Sequence, residues 1–293
     1  MWVLFALLTS FFNAAYFLLN QKMAMNAALF MVYRGWAVFF MLLPFAFFFE
    51  PIENWEFYAL CVVQGALVAY ADGRFFATLR RFGAEVATSL QPFSIGITFV
   101  LWLIITPSTI FVYLQKPMEA LFIVSALAGI VVSVRLFNKS NVSMQALKFV
   151  VSALVVGAMC DIVNKKAMSY GQGDVVSASY FYVLLIALVA GVINLVIYLR
   201  QDGTLKQAVG AQNLKYLPVF LLLIGCNVSK NFAMYYAFNP SYVAALMYIY
   251  ILWIAGYNWL RAKMVPDMVY NRMNIKAAAL LLCSVVVLIL AAD

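Results

Sequence analysis

Histidine is missing altogether from the 293 residues. That absence removes the usual zinc and haem ligand and the commonest general base, and with them most metal and acid–base enzyme constellations. Charge is scarce as well, at 10% of residues against about 25% in soluble domains. Cysteine is confined to Cys61, Cys160, Cys226 and Cys283. All four fall in apolar stretches without paired spacing, so neither a disulfide framework nor a metal site is indicated. No Gly-rich P-loop occurs, which argues against direct ATP coupling. No cofactor and no enzymatic activity are expected.

Apolar residues are what the chain has in excess, at 67%. No globular core hides that much apolar surface, so the bilayer must be the solvent. In hydrocarbon only helices or a closed barrel satisfy the backbone. Barrel strands alternate over about ten residues, whereas the runs here continue for about twenty. The fold class is therefore an all-α integral membrane protein. Ten runs of roughly spanning length are visible, near 2–21, 28–49, 57–78, 84–105, 118–136, 146–168, 175–199, 214–236, 241–260 and 275–292. The first lacks the charged n-region of a signal peptide and reads as a permanent span.

The runs fall into two halves. Residues 158–168 (AMCDIVNKKAM) echo residues 14–24 (AAYFLLNQKMA), aligning Ala14, Asn20 and Lys22 with Ala158, Asn164 and Lys166. Further on, Arg74, Phe76, Ala77 and Phe82 align with Lys230, Phe232, Ala233 and Phe238. Two correspondences in the same order indicate a duplication of five spans, 1–138 and 139–293, together one transport domain. Five is odd, so the second repeat is inverted relative to the first. Inverted repeats around a midplane site are a design of secondary transporters.

Those residues also carry a resemblance. The ten helices in two repeats, the lysine closing the first helix of each half (Lys22, Lys166), Arg34 early in the second helix, the short third-to-fourth helix links and residues 87–92 (ATSLQP) resemble the EamA-type branch of the drug/metabolite transporter superfamily. The sequence departs from that pattern where Tyr248 stands at the position matching Pro92. The resemblance implies alternating access around a central cavity lined by helices of both repeats, and it does not imply one substrate.

Orientation follows from basic residues. Of the 19 Lys and Arg, 13 fall on the face bearing the odd-numbered links, three (Lys116, Lys165, Lys166) on the face bearing both termini, and three within spans. The positive-inside rule puts the basic face in the cytoplasm and both termini outside, in a multi-pass cytoplasmic (inner) membrane protein. The family's usual arrangement, by resemblance, has both termini inside. The net charge of +8 fits loops meeting anionic lipid headgroups, with no nucleic acid as partner. Whether a homodimer forms is left open.

An ionisable residue within a span marks a functional site by default, because its insertion costs at least ~2.5–3.5 kcal/mol. Arg34, Asp72, Arg74, Asp161 and Lys230 qualify. Lys230 shares a helix face with Asn227, three positions back, and is the expected contact for a carboxylate or phosphate. A structural pair with Asp161 is the alternative. Asp161 binds a substrate amine, carries a coupling proton, or pairs with Lys165 one turn on. Arg34 presents a guanidinium fork to an anion, or pairs with Asp72 of the neighbouring helix. Asp72 and Arg74, two apart, point to different sides of their helix and read as coupling, gating or interfacial anchors. Lys22 and Lys166 end their helices and read as coupling or gating residues, or as cations that only favour the helix dipole. The Gln91-Pro92 pair breaks the fourth run, a gating kink or a static one. Tyr16, Trp36, Tyr180, Tyr182, Tyr235, Tyr236, Tyr248, Tyr250 and Trp253 are candidates for a cavity wall, with Tyr248 and Tyr250 on opposite faces if their helix is continuous.

These features point to a transporter of a small polar metabolite. Three basic groups against two acids within the spans favour an anionic or zwitterionic, amino-acid-like solute. A flippase for a lipid or lipid-linked intermediate would use the same charges on a headgroup. A membrane scaffold would use them only to hold the bundle.

Overall fold

A computed structural model describes residues 1–23, 27–82, 90–137, 144–171, 173–201, 204, 215–264 and 274–292. Regular structure among them is helical throughout. The order is α1 (Trp2–Met23), α2 (Ala27–Leu42) with a 3-10 turn (Leu43–Phe48), α3 (Trp55–Phe82), α4 (Phe93–Ile105), α5 (Ser108–Gln115), α6 (Pro117–Phe137), α7 (Met144–Ser169), α8 (Val175–Arg200), α9 (Leu217–Tyr236), α10 (Pro240–Met247), α11 (Tyr250–Met264) and α12 (Ile275–Ala292).

Eight stretches among the described residues are long and apolar enough to cross a membrane, and α4 with α5 makes a ninth if that bent pair is one span. The third run folds as α3, whose 28 residues extend about 42 Å at 1.5 Å per residue. Gln64, Asp72, Arg74, Arg80 and Arg81 make it less apolar than the others. Phe47, Ile275 and Leu290 expose 94, 76 and 76% of their surface, as lipid-facing side chains do and a water-facing core could not.

Two expectations change at helix breaks. Residues 106–117 are not a plain link, because α5 occupies most of them and turns 108° from α4. Thr106 precedes Pro107 and leaves the helical region (φ −127°, ψ 74°), because the proline ring disfavours a helical predecessor. The ninth run is divided at Tyr248-Ile249, between α10 and α11, without any proline. Because no continuous helix joins Tyr248 to Tyr250, the opposite-face argument fails, and their rings sit 6.0 Å apart.

The two halves interleave. The first helix of each packs on the third of the other, α1 on α9 and α7 on α3. The second helices pair (α2 with α8), as do the last (α6 with α12). Further, α4 lies on α7 while α10 and α11 lie on α1. The α2–α8 crossing depends on glycine: a Cβ at Gly35 would stand 2.3 Å from the Gly191 Cα, so no larger residue fits unless the backbones part. Arg34 stands one position before Gly35 in the same helix and pairs with Asp72 of α3.

Candidate functional site

Between α2, α3, α7, α8 and α9 lies a cavity of about 150 Å³. That is below the ~300–1,000 Å³ typical of drug-sized ligand sites, so it suits a small solute. Apolar helices supply most of its wall, including Val38, Val68, Val183 and Leu223. Into this wall project Arg34, Gln64, Asp72, Asn164, Tyr182, Asn194, Asn227 and Lys230.

The charges form two pairs. Arg34 of α2 donates through Nη1 to Asp72 Oδ2 of α3 at 2.5 Å. Lys230 of α9 donates through Nζ to Asp161 Oδ1 of α7 at 2.7 Å. The Arg34 and Asp72 side chains keep 26 and 23% of their surface accessible, because they border the hollow instead of sinking into packed core. Lys230 and Asp161 keep 19 and 11%. Each pair joins two helices, and each cation lines the cavity. Asn227 and Lys230, three apart on α9, share its wall, as their spacing implies. The formal charges of the four groups sum to zero.

Beside them are polar atoms with nothing to bind. Gln64 Oε1, Asn164 Oδ1 and Tyr182 OH are buried without a hydrogen-bond partner, and all three residues line the cavity. A packed protein interior seldom leaves such atoms unmet. The orientation of Asn164 is set from behind. Its Nδ2 donates to Asn231 Oδ1 at 2.9 Å, and Asn231 Nδ2 in turn donates to Ser179 Oγ at 3.0 Å and more weakly to the Ser179 carbonyl at 3.4 Å. A carbonyl only accepts, so this relay fixes the Asn164 amide and leaves its oxygen as the atom without a partner.

Other singled-out residues lie elsewhere. Arg74 turns away from the cavity, donating to Ser152 Oγ at 3.4 Å with its guanidinium 4.5 Å over the Phe149 ring. Asp72 and Arg74 thus serve different sides of α3, as their spacing implies. Trp36 packs against Phe39 and Phe40. Tyr16 is buried in an aromatic cluster with Phe17 and Phe30, behind the Arg34–Asp72 pair. Gln91 and Pro92 form the turn that opens α4, where the Gln91 carbonyl accepts from the Ser94 N–H and hydroxyl. Tyr248 is core at the α10–α11 break. Lys165 bonds the Tyr235 carbonyl at 3.1 Å, leaving Asp161 to Lys230. Lys166 stands in the last turn of α7. Lys22 is in the last turn of α1, and its side chain lies outside the described residues, as do Ala87, Thr88 and Ser89 of the 87–92 motif.

Of the aromatic wall candidates, Tyr182 lines the cavity. Tyr180 instead donates to the Leu42 carbonyl at 2.6 Å, and Trp253 to Ser10 Oγ at 3.0 Å. Sequence reasoning overlooked Gln64 and Asn194. Both are uncharged amides in otherwise apolar helices, a weaker signal than a charge.

A second hollow of about 170 Å³ adjoins the first. It is lined by the start of α2 (Ala27, Ala28, Met31), late α3 (Gly73, Ala77) and the end of α8 (Asn194, Ile197, Tyr198, Gln201). Met31 and Asn194 border both hollows. Those helix ends belong to the face richest in Lys and Arg. Toward the face of the termini the bundle is tied by Tyr113 and Tyr242, whose hydroxyls are 2.6 Å apart, with Asn239 Nδ2 donating to Tyr113 at 3.2 Å.

A scan against protein-family models finds no match, and no curated protein matches the chain. The functional reading therefore stands on the chemistry of the cavity.

Proposed function

We propose that the chain is a secondary transporter for a small polar solute, amino-acid-like and zwitterionic in preference to anionic, working by alternating access. The observation that carries the reading is the central cavity, where two ion pairs and three unmet polar atoms gather inside the apolar bundle. A scaffold needs its buried polar groups satisfied, whereas a transport site must exchange a solute's hydration shell for convergent protein groups. With Arg74 facing Phe149, the cations on the cavity wall are Arg34 and Lys230. Each is already bound to a carboxylate, Asp72 on the wall and Asp161 outside the lining, and this pairing favours a zwitterion over a phosphate.

The mechanism uses ten spans in two inverted five-helix repeats, with α3 as the least apolar span and α4 the core of the fourth. Two features support this. Helix pairing is reciprocal between halves, as a two-fold relation requires. The α10–α11 break at Tyr248-Ile249 also falls where the repeat offset puts Pro92-Phe93, at which α4 begins. The kinship with drug/metabolite transporters rests on the residues quoted for it. With the basic face cytoplasmic, the adjoining hollow is an inward vestibule, Met31 and Asn194 stand between vestibule and site, and the Tyr113–Tyr242–Asn239 cluster closes the outward side.

Counterflow in proteoliposomes tests the reading. Labelled L-amino acids should exchange, and organic phosphates should not. Replacing Lys230 and Asp161 together (Lys230→Met with Asp161→Leu) removes both charges without stranding one, and exchange should stop while the protein still folds. Full exchange by that double variant would return the pair to bundle-holding. Lipid scrambling without solute exchange would favour the flippase.

A further inference from the structure

The transport reading leaves open how the solute's charged ends are told apart. The three charged groups on the cavity wall are already paired, Arg34 with Asp72 and Lys230 with Asp161 outside the lining. Among the residues of the wall, the fully buried atoms without a partner are two amide oxygens and a phenol: Gln64 Oε1, Asn164 Oδ1 and Tyr182 OH. They come from α3, α7 and α8, three different helices around one small space. Their residues expose 5, 4 and 3% of their surface, so bulk water does not serve them. Two are acceptors and the third accepts or donates, so the missing partner is rich in N–H or O–H donors.

The local field narrows that partner. Asp161 lies within electrostatic reach of Tyr182, and Lys230 is bound to that same carboxylate. Arg34 and Lys230 are held on their carboxylates, with Asn227 next to Lys230 on the cavity wall. An anion alone could take the Tyr182 O–H and would leave both amide oxygens unmet. A primary ammonium has three N–H donors and no acceptor, matching three oxygens one for one.

We propose that Gln64, Asn164 and Tyr182 form an ammonium subsite in the central cavity, so that a solute is recognised by its free primary amine. This rests on the cavity being a transport site. The solute's anionic end then falls to Lys230, Asn227 and Arg34. Two sources share the chemistry, a free α-amino acid and the ethanolamine headgroup of a lipid. The Asn231–Ser179 relay makes Asn164 a fixed acceptor, and neither Tyr182→Phe nor Gln64→Met changes the shape of the wall greatly.

The test is a thermal-shift titration of the purified full chain in nanodiscs. The probes are the twenty L-amino acids, their N-acetyl derivatives, the corresponding decarboxylated amines, and lysophosphatidylethanolamine. At least one free amino acid should stabilise the wild type, and its N-acetyl derivative should not. Tyr182→Phe and Gln64→Met should each weaken that ligand about tenfold or more while the unliganded midpoint stays near wild type. Should either variant fail to fold, the analogue series on the wild type decides. N-acetyl derivatives binding as tightly as free amino acids, or unchanged affinity in both variants, overturns the subsite and leaves the transport reading standing. Stabilisation by lysophosphatidylethanolamine alone, lost in the variants, keeps the subsite and assigns it to a lipid, which overturns the small-solute reading. If no probe stabilises the wild type, both fall.

Discussion

Lys230 and Asp161 illustrate how little a single intramembrane charge reveals about its own role. Either side chain alone would be a buried charge without a partner; together they are 2.7 Å apart and join α9 to α7. Removing one should destabilise the protein by about 3–5 kcal/mol, because the other remains stranded. Lys230→Ala is therefore expected to lower the unfolding midpoint sharply in detergent, and adding Asp161→Leu should recover most of the loss. Independent, additive effects of the two substitutions would contradict the pairing. At the membrane surface, Asp174 caps α8, its carboxylate accepting from the Val176 and Ser177 N–H groups at 3.1 and 3.0 Å. The Ser177 hydroxyl first, and these N–H groups with it, hold the carboxyl below the ordinary carboxylate range. Its stabilisation is thus complete above the ordinary value, about 3.9, and is lost as pH falls through the lower folded value. Asp174→Ala should cost about 1 kcal/mol at neutral pH and progressively less in acid, read from unfolding midpoints across pH. The paired charges were legible in the sequence because an ionisable residue in an apolar run has few explanations. Gln64 was not, since an amide in such a run reads as ordinary packing. Nor was the outward turn of Arg74, which depends on Phe149 and Ser152 of a helix more than seventy positions away.

Helices set these side chains in place through close crossings and breaks. At the α2–α8 crossing, a Cβ at Gly35 would stand 2.3 Å from the Gly191 Cα and 2.6 Å from its nitrogen, both backbone atoms that cannot rotate aside. Gly35→Ala should therefore force the helices apart, destabilising by about 1–3 kcal/mol. Gly157→Ala, in α7 with nothing within 4 Å of the added Cβ, should be neutral or slightly stabilising. Equal thermal stability of the two variants would argue against the tight crossing. The length of the apolar runs located nearly every helix, because twenty-residue runs in a bilayer have one solution. The same runs hid the breaks. The bend after Ile105 had a local signal in Thr106-Pro107, while the break at Tyr248-Ile249 lacks one and depends on how α10 seats against α1 and α4.

At the scale of the molecule, two hollows follow one another toward the basic face, sharing Met31 and Asn194, while tyrosines and an asparagine tie the opposite side. The apolar runs were readable from the sequence, but the cavity was not, since it is made by α2, α3, α7, α8 and α9 meeting in space. Cys160 lines that cavity and offers a direct test of access. With Cys61, Cys226 and Cys283 replaced by serine, a membrane-impermeant thiol reagent is applied to right-side-out and inside-out vesicles in turn. Labelling of Cys160 is expected through the basic face, which the proposed orientation makes cytoplasmic, and it should slow when a bound amino acid fills the site. Labelling from neither side, or at a rate no soluble solute alters, would contradict a transport cavity at the centre of this bundle.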